Sequence, residues 1–394
     1  MATSACLAGW DLTPPADQNR NWGIHLTQGG SYDDNFNATE NNRQSGLRYN
    51  SDVVFRANVP LERMFMGLTY DYGLTYPQDV KLGGFNESHN LVFGANYSVS
   101  PRLSINLNGN FVRSLIPELV QTQGGNPITI IQAGDYTYAI AGGSVNYSLA
   151  PRWNLQISGS WDTWKYDLPQ MATNSDHEDY QSTLSVLYAL DERTTVGLNY
   201  QYSVTIYSNP GTNNAANSQS HTGYFSLVRR FNPRLSLQIN SGYTIRESED
   251  GSVNTAPSEF GSLVYNYGPL NTVSFTAGYS LSQVTVGFTR QFSASQNTSF
   301  SLQLTHRLTT RLNLLVDASY VYSSFVSPIP GPPGAPAVSA SATEQQLLAH
   351  LGLSYSFREW LALNVNYQYT QLTTDLPGLK YDRNQIGLGF TLTY

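Results

Sequence analysis

The chain has 394 residues, a net charge of −7 and a charged fraction of 12%, about half the roughly 25% of soluble globular proteins. Its 27 tyrosines and 12% aromatic content exclude a disordered chain, which would be richer in charge and poorer in rings, and the acidic balance speaks against a nucleic-acid binder. No run of about 20 apolar residues is present to make a membrane-spanning helix.

Residues 1–21 read as an N-terminal periplasmic arm or a leader remnant. Met1 to Trp10 has neither a basic start nor a long apolar stretch. Thr3-Ser4-Ala5-Cys6 matches a lipoprotein cleavage box poorly, because Thr3 stands where Leu is needed. Cys6 is the one cysteine, so no internal disulfide and no multi-cysteine zinc or haem motif is expected, and no cofactor with it.

From residue 22 onward a repeat organises the chain. A first strand is predicted over about Trp22 to Phe36. Short segments then recur about every 40 residues: Pro60-Leu61-Glu62-Arg63, Ser100-Pro101-Arg102-Leu103, Ala150-Pro151-Arg152-Trp153, Asp191-Glu192-Arg193-Thr194 and Asn232-Pro233-Arg234-Leu235. Gly268-Pro269-Leu270-Asn271 keeps the Pro and drops the Arg; Thr309-Thr310-Arg311-Leu312 and Phe357-Arg358-Glu359-Trp360 complete the series. Each reads as a tight turn followed by alternation. After Arg102 the apolar side is Leu103, Ile105, Leu107 and Phe111, against Ser104, Asn106, Asn108 and Asn110. After Arg152 it is Trp153, Leu155, Ile157 and Trp161, against Asn154, Gln156, Ser158 and Ser160. Period two over such a length predicts a strand with one apolar and one polar face.

Longer polar connections separate the turns, near residues 37–45, 77–86, 116–134, 167–177, 209–219, 248–256, 326–343 and 374–382. The alternation shifts phase between Ser282 and Asn297, which reads as one long hairpin with a bulge or loop. Eight tight turns make sixteen strands, and one more at each end makes about eighteen, the last over about Arg383 to Tyr394. The predicted strands run about 10–14 residues. A soluble sandwich uses strands of about 5–6, whereas membrane strands need about 9–11. Aromatic residues fall in two rings. Tyr97, Tyr147, Tyr188 and Tyr355 precede tight turns, and Phe111, Trp161, Tyr202, Tyr243, Tyr322 and Tyr369 follow theirs by about nine to eleven residues. The expected fold is therefore all-β: a transmembrane antiparallel up-and-down β-barrel of about 18 strands over residues 22–394, with short periplasmic turns and long extracellular loops.

Two short motifs carry a resemblance. The C-terminal Gly387, Phe390, Leu392 and Tyr394 resemble the signal by which bacterial outer-membrane barrels are recognised by their assembly machinery. In the first strand, Tyr32, Asp33, Asp34 and Asn35 resemble the Tyr-Asp-Asp-Asn opening of the putative β-barrel porin family, which includes barrels of exopolysaccharide secretion systems. The resemblance implies an integral protein of the bacterial outer membrane. Its partners would be outer-membrane lipid and lipopolysaccharide, the barrel-assembly machinery and a periplasmic export partner, and no nucleic acid.

A barrel of about eighteen strands encloses an aqueous lumen unless something fills it. The face predicted to point inward is Asn, Gln, Ser, Thr and Gly, with few charges: Arg56, Asp71, Asp162, Arg307 and Asp317. Such a lining is hydrated and weakly selective by charge. It suits neutral, hydroxyl-rich solutes, in sugar diffusion or polysaccharide export, and it equally suits unspecialised diffusion. A different class of reading is a structural barrel sheathing a partner, in a secretion or electron-conduit complex. A rim hydrolase would need Asp176-His177-Glu178-Asp179 to meet Asp33 or Asp34; the bland reading of those acids is a solvated loop, and no enzyme is expected. The connections Ile116 to Asp135, with Gly124-Gly125, Ile128, Ile130 and Ile131, and Val326 to Thr343, with Pro328, Pro330, Pro332, Pro333 and Pro336, are candidates to constrict the mouth, to dock a partner or simply to cap the rim. The turn arginines either anchor the membrane interface or form a cationic rim for a partner.

Overall fold

A computed structural model describes residues 21–35, 38–77, 86–114, 119–121, 127–129, 135–167, 169, 172–173, 176–208, 217–249, 251–282, 292–328, 342–375 and 380–394. All of the predicted arm but Asn21 lies outside them, as do the tips of the two candidate constricting connections. Two short strands, Leu119–Gln121 and Pro127–Thr129, pair as a separate sheet within the 116–134 connection. The barrel strands are β1 (Trp22–Asp33), β2 (Gly46–Pro60), β3 (Met64–Pro77), β4 (Asn86–Ser100), β5 (Leu103–Ser114) and β6 (Tyr136–Ala150). Next come β7 (Trp153–Tyr166), β8 (His177–Ala189), β9 (Thr194–Tyr207), β10 (Ser218–Asn232), β11 (Leu235–Ser248) and β12 (Val253–Gly268). The series ends with β13 (Asn271–Ser282), β14 (Phe292–Arg307), β15 (Leu312–Pro328), β16 (Ala342–Arg358), β17 (Leu361–Thr374) and β18 (Tyr381–Thr393). Each pairs antiparallel with the next, and β1 pairs with both β2 and β18. The sheet is a closed 18-stranded barrel, as the turn repeat predicted. Closure removes both sheet edges and gives backbone groups partners where lipid offers none.

The hairpin read across Ser282 to Asn297 is present, its strands β13 and β14 facing each other at Ser282↔Ser295. Two details differ from expectation. Strands run from 12 residues in β1 to 17 in β15 and β16, longer than predicted. The ladder continues past the apolar band at the loop end, as in Phe325↔Ala342, because backbone N–H and C=O groups still need partners there. Second, β11 and β12 are joined by residues 249–252 alone. Gly251 there has φ 83° and donates its N–H to the Ser248 carbonyl at 2.9 Å. A side chain in that region costs roughly 1–2 kcal/mol, so Gly251→Val is expected to lower the urea midpoint of unfolding by that order, with the fold unchanged by circular dichroism.

The turn end explains the repeat. The two-residue connections 101–102, 151–152, 233–234, 269–270 and 359–360 each follow a register shift. Pro opens four of the five, where its fixed φ suits the first turn position. The second residue extends the ladder. The Arg102 carbonyl accepts from Ser148 N–H at 2.8 Å, Arg152 from Ala189 at 2.8 Å, and Arg234 from Asn266 at 2.7 Å. Arg63, Arg193 and Arg311 do the same for Ser98, Arg230 and Ser356. The repeated arginine thus stitches each hairpin to the next by its main chain, leaving its side chain exposed. In the 190–193 turn, the Asp191 carboxylate accepts the Arg193 N–H at 2.7 Å, a hydrogen bond that holds its pKa below the ordinary value.

Strand register assigns the faces. Outward residues include Leu107, Ile157, Leu184, Leu198 and Ile386, all exposed. Buried inward residues include Thr222, Thr244, Asn364 and Thr370. A molecule polar inside and apolar outside is matched to lipid rather than water. Both aromatic rings face outward, near the turn end and the loop end respectively. Three outward histidines each meet a tyrosine: His89 with Tyr70 at 2.8 Å and His221 with Tyr200 at 2.7 Å on paired strands, and His306 with Tyr267 at 2.8 Å across the turn end of β13. Each pair satisfies two polar groups that an apolar surround would leave costly.

Candidate functional site

The inward face falls into distinct zones. Along β9 to β14 it is almost wholly neutral. Asn199 donates to Ser226 Oγ at 3.0 Å, Thr222 and Thr244 share a hydrogen bond at 2.8 Å, and Thr276 pairs with Ser301. Amide and hydroxyl groups here bond to one another across strands and keep spare donors and acceptors for water or solute.

The five charges proposed for the lumen do not converge. Arg56 on β2 and Asp71 on β3 face inward on adjacent strands, close enough to interact. Asp162 on β7 faces inward opposite Asp179 on β8. Asp317 on β15 meets His350 Nδ1 on β16 at 3.4 Å. Arg307 ends β14 at the turn rim, where its guanidinium donates to the carbonyls of Thr309 at 3.2 Å and Thr310 at 2.7 Å. The charges therefore occupy separate walls and a rim rather than one ring.

Sequence reasoning missed other inward charges: Arg48, Asp52, Asp179, Arg246, Glu344 and Arg383. Arg48 and Asp52 share the parity of Arg56 on β2, so counting along that strand would have found them. Asp179 and Arg246 belong to a network at the loop end. Asp179 lies 3.4 Å from His177 Nε2 and accepts from Thr205, and Arg246 donates to Ser218 Oγ at 2.9 Å. The row beside it is aromatic, with Trp164 4.3 Å from Tyr138 and 6.3 Å from His177, and His177 5.5 Å from Tyr207.

That row belongs to an apolar collar at the loop end of the lumen. Val112, Trp164, Tyr207, Phe325, Leu372 and Tyr381 all face inward within three residues of their strand ends and are 8% exposed or less. The loop end of the wall thus combines this collar with the charged groups of His177, Asp179 and Arg246, whereas the wall of β9 to β14 is mostly neutral and polar.

The acidic segment at β8 is divided by the strand pleat. Asp176 accepts the Tyr166 N–H at 2.9 Å, and His177 and Asp179 face inward. Glu178 faces outward and accepts from Tyr180 OH at 2.7 Å and Trp161 Nε1 at 3.4 Å. None of these side chains meets Asp33 or Asp34, which are engaged elsewhere.

They are engaged at the seam between the first and last strands. Asp33 is fully buried. Arg383 on β18 donates Nε to its two carboxylate oxygens at 3.1 and 3.0 Å, and also donates a terminal nitrogen. Gln385 Nε2 adds a hydrogen bond at 2.9 Å, and Arg48 on β2 lies 3.5 Å away. Asp34 accepts the main-chain and side-chain N–H groups of Asn384, both at 2.7 Å. Asn35, also fully buried, donates to the carbonyls of Asp382 at 2.8 Å and Thr39 at 2.9 Å. Tyr32 faces outward. At the opposite end of the seam the Tyr394 ring lies 5.5 Å from that of Trp22. Phe390, Leu392 and Tyr394 present an exposed outward face, while Gly387 faces inward opposite Ser31.

A closed 18-stranded sheet, apolar outside and polar within, with short turns at one end, defines a porin-like barrel of outer-membrane type. Residues 230–394, essentially β11 to β18, match the family described as Putative beta-barrel porin 2, and the chain resembles that family. No curated protein matches the sequence. Among solved structures, the chain is similar to OccK2 (OpdF) of Pseudomonas aeruginosa, determined in complex with glucuronate, with a TM-score of 0.49 and 11% identity over 95% of this chain and 98% of that one. A BenF-like porin from Pseudomonas fluorescens Pf-5 gives 0.49 and 11% over 95% and 99%. The siderophore receptor PirA from Pseudomonas aeruginosa gives 0.44 and 11% over 95% and 80%.

Proposed function

We propose that the protein lies in the bacterial outer membrane, turn end toward the periplasm, and passes neutral, hydroxyl-rich solutes such as sugars through its lumen. The observation that carries this reading is the neutral wall of β9 to β14. Solutes without net charge need hydrogen-bond partners rather than counter-charges, and Asn199, Gln201, Thr222, Asn240 and Thr244 supply them on one continuous face. Several charged groups elsewhere stand beside an opposite charge, Asp33 with Arg383 and Arg48, Asp179 with His177 and Asp317 with His350, which reduces the field available to sort ions by sign. Assembly by the barrel-assembly machinery through Phe390, Leu392 and Tyr394 belongs to the same reading.

The test is single-channel conductance of the purified barrel in a planar bilayer, with neutral oligosaccharides as blockers. The expected result is a steady, weakly ion-selective conductance reduced by oligosaccharide in a concentration-dependent way. Conductance without block would remove the sugar path and leave general diffusion. A folded but silent barrel would overturn the channel reading and favour the sheath.

A further inference from the structure

We propose that Asp33, Asp34 and Asn35 form a register lock that fixes how the last strand meets the first when the barrel closes. The β1–β18 seam joins segments about 350 residues apart in sequence, so no short turn sets its register as a hairpin turn does for the other strand pairs. Its backbone is poor in register information. Gly29 and Gly30 on β1 lie against Gly389 and Leu388 on β18, and Gly387 lies against Ser31. A Cβ on Gly29 would sit 2.6 Å from the Leu388 carbonyl oxygen, and one on Gly389 3.1 Å from that of Gln28, so this close approach admits glycine and little else. Glycine-rich strands are the ones most prone to slip.

Each slip is opposed separately. A shift by one residue turns every side chain of the strand to the other face, Asp33 among them, so the apolar pattern of the whole strand opposes it. A shift by two preserves the faces, so the apolar pattern cannot prevent it. Moved one way, Asp33 stands opposite Gly387 instead of Gln385, out of reach of the cation it now holds. Moved the other way, Asp34 leaves Asn384 and stands opposite Asp382, carboxylate against carboxylate. Asn35 adds a bond to the Asp382 carbonyl that forms in the observed register only. Buried charge pairs commonly add little net stability, and fixing register is their best-attested use. The lock is thus built from the groups that the pleat alone leaves undetermined.

Cysteine cross-linking reads the register directly. Thr27 and Thr391 face each other inward with their hydroxyls 2.9 Å apart, six residues from Asp33 along β1. In a Cys6→Ser background, Thr27→Cys with Thr391→Cys reports the native register, and Thr27→Cys with Thr393→Cys reports the two-residue slip. Yields are measured only on barrels that remain folded by heat-modifiable gel migration. The native pair is expected to dominate with Asp33 present. With Asp33→Ala, the 27–391 yield should fall severalfold and 27–393 cross-links should appear, and the better-folding Asp33→Asn should shift the same way to a smaller degree. Folded Asp33→Ala and Asp33→Asn barrels that cross-link as the parent does would overturn the lock. So would a joint fall of both yields, which would mark a general loosening without slip.

Discussion

Replacing Arg383 by alanine is expected to destabilise the folded barrel by about 3–5 kcal/mol, the cost of leaving a buried carboxylate without its cation. Asp33 has no exposed surface, so water cannot take over the role of the guanidinium. Arg48, at 3.5 Å, offers partial compensation, and Gln385 contributes one neutral hydrogen bond. Arg43 provides the control. It pairs with Asp382 on the same strand, but both side chains are well exposed, at 42% and 37%, and such pairs are worth about 0–1 kcal/mol. Urea titration of the barrel in lipid, followed by tryptophan fluorescence, should place Arg383→Ala far below the parent and Arg43→Ala close to it. Equal small shifts for the two would mean that Asp33 is solvated after all. The double variant Asp33→Asn with Arg383→Ala should lose less than the two single changes together, since the stranded charge is then gone.

The parts of this molecule that repeat were legible in its sequence, and the parts that meet once were not. Alternation such as Leu103, Ile105, Leu107 against Ser104, Asn106, Asn108 is forced by a two-sided wall, so it marks the strands wherever it occurs. The turns recur because each closes the same kind of short hairpin, with Pro suited to the first turn position; the main-chain bond to the next hairpin needs no arginine, since Trp360 makes it too. Asp33 and Arg383 occur once each, and their contact follows only from closure. A signal was nonetheless present. In a closed barrel the first strand must lie beside the last, and an inward Asp and an inward Arg stand near the loop ends of those two strands. The Tyr-Asp-Asp-Asn motif was recognised by resemblance, yet its use as a seam between strands was not. The inward residues near strand ends were missed for a related reason. Tyr207, Phe325 and Leu372 keep the parity of the polar face but break its chemistry, so a polarity pattern skips them while the register places them.

Leu184 and Thr183 offer the sharpest test of the face assignment, because they are adjacent in sequence and opposite in surroundings. Leu184 faces outward between Ile157 and Tyr200, midway between the two aromatic rings, and is 46% exposed. Thr183 faces inward between Ser158 and Gln201. An arginine at the lipid midplane costs about 2–4 kcal/mol in such barrels, whereas lumen substitutions chiefly tune selectivity. Leu184→Arg is therefore expected to lose about that much stability in lipid, and Thr183→Arg to lose little while raising anion preference in bilayer conductance. If both lost stability equally, the lumen beside β8 would be as closed to water as the lipid face, and the wet polar wall on which a sugar path depends would not extend there. If Thr183→Arg folded normally yet left conductance and selectivity untouched, ions would not pass this wall. The same pair of variants thus separates an assignment of faces from an assignment of function.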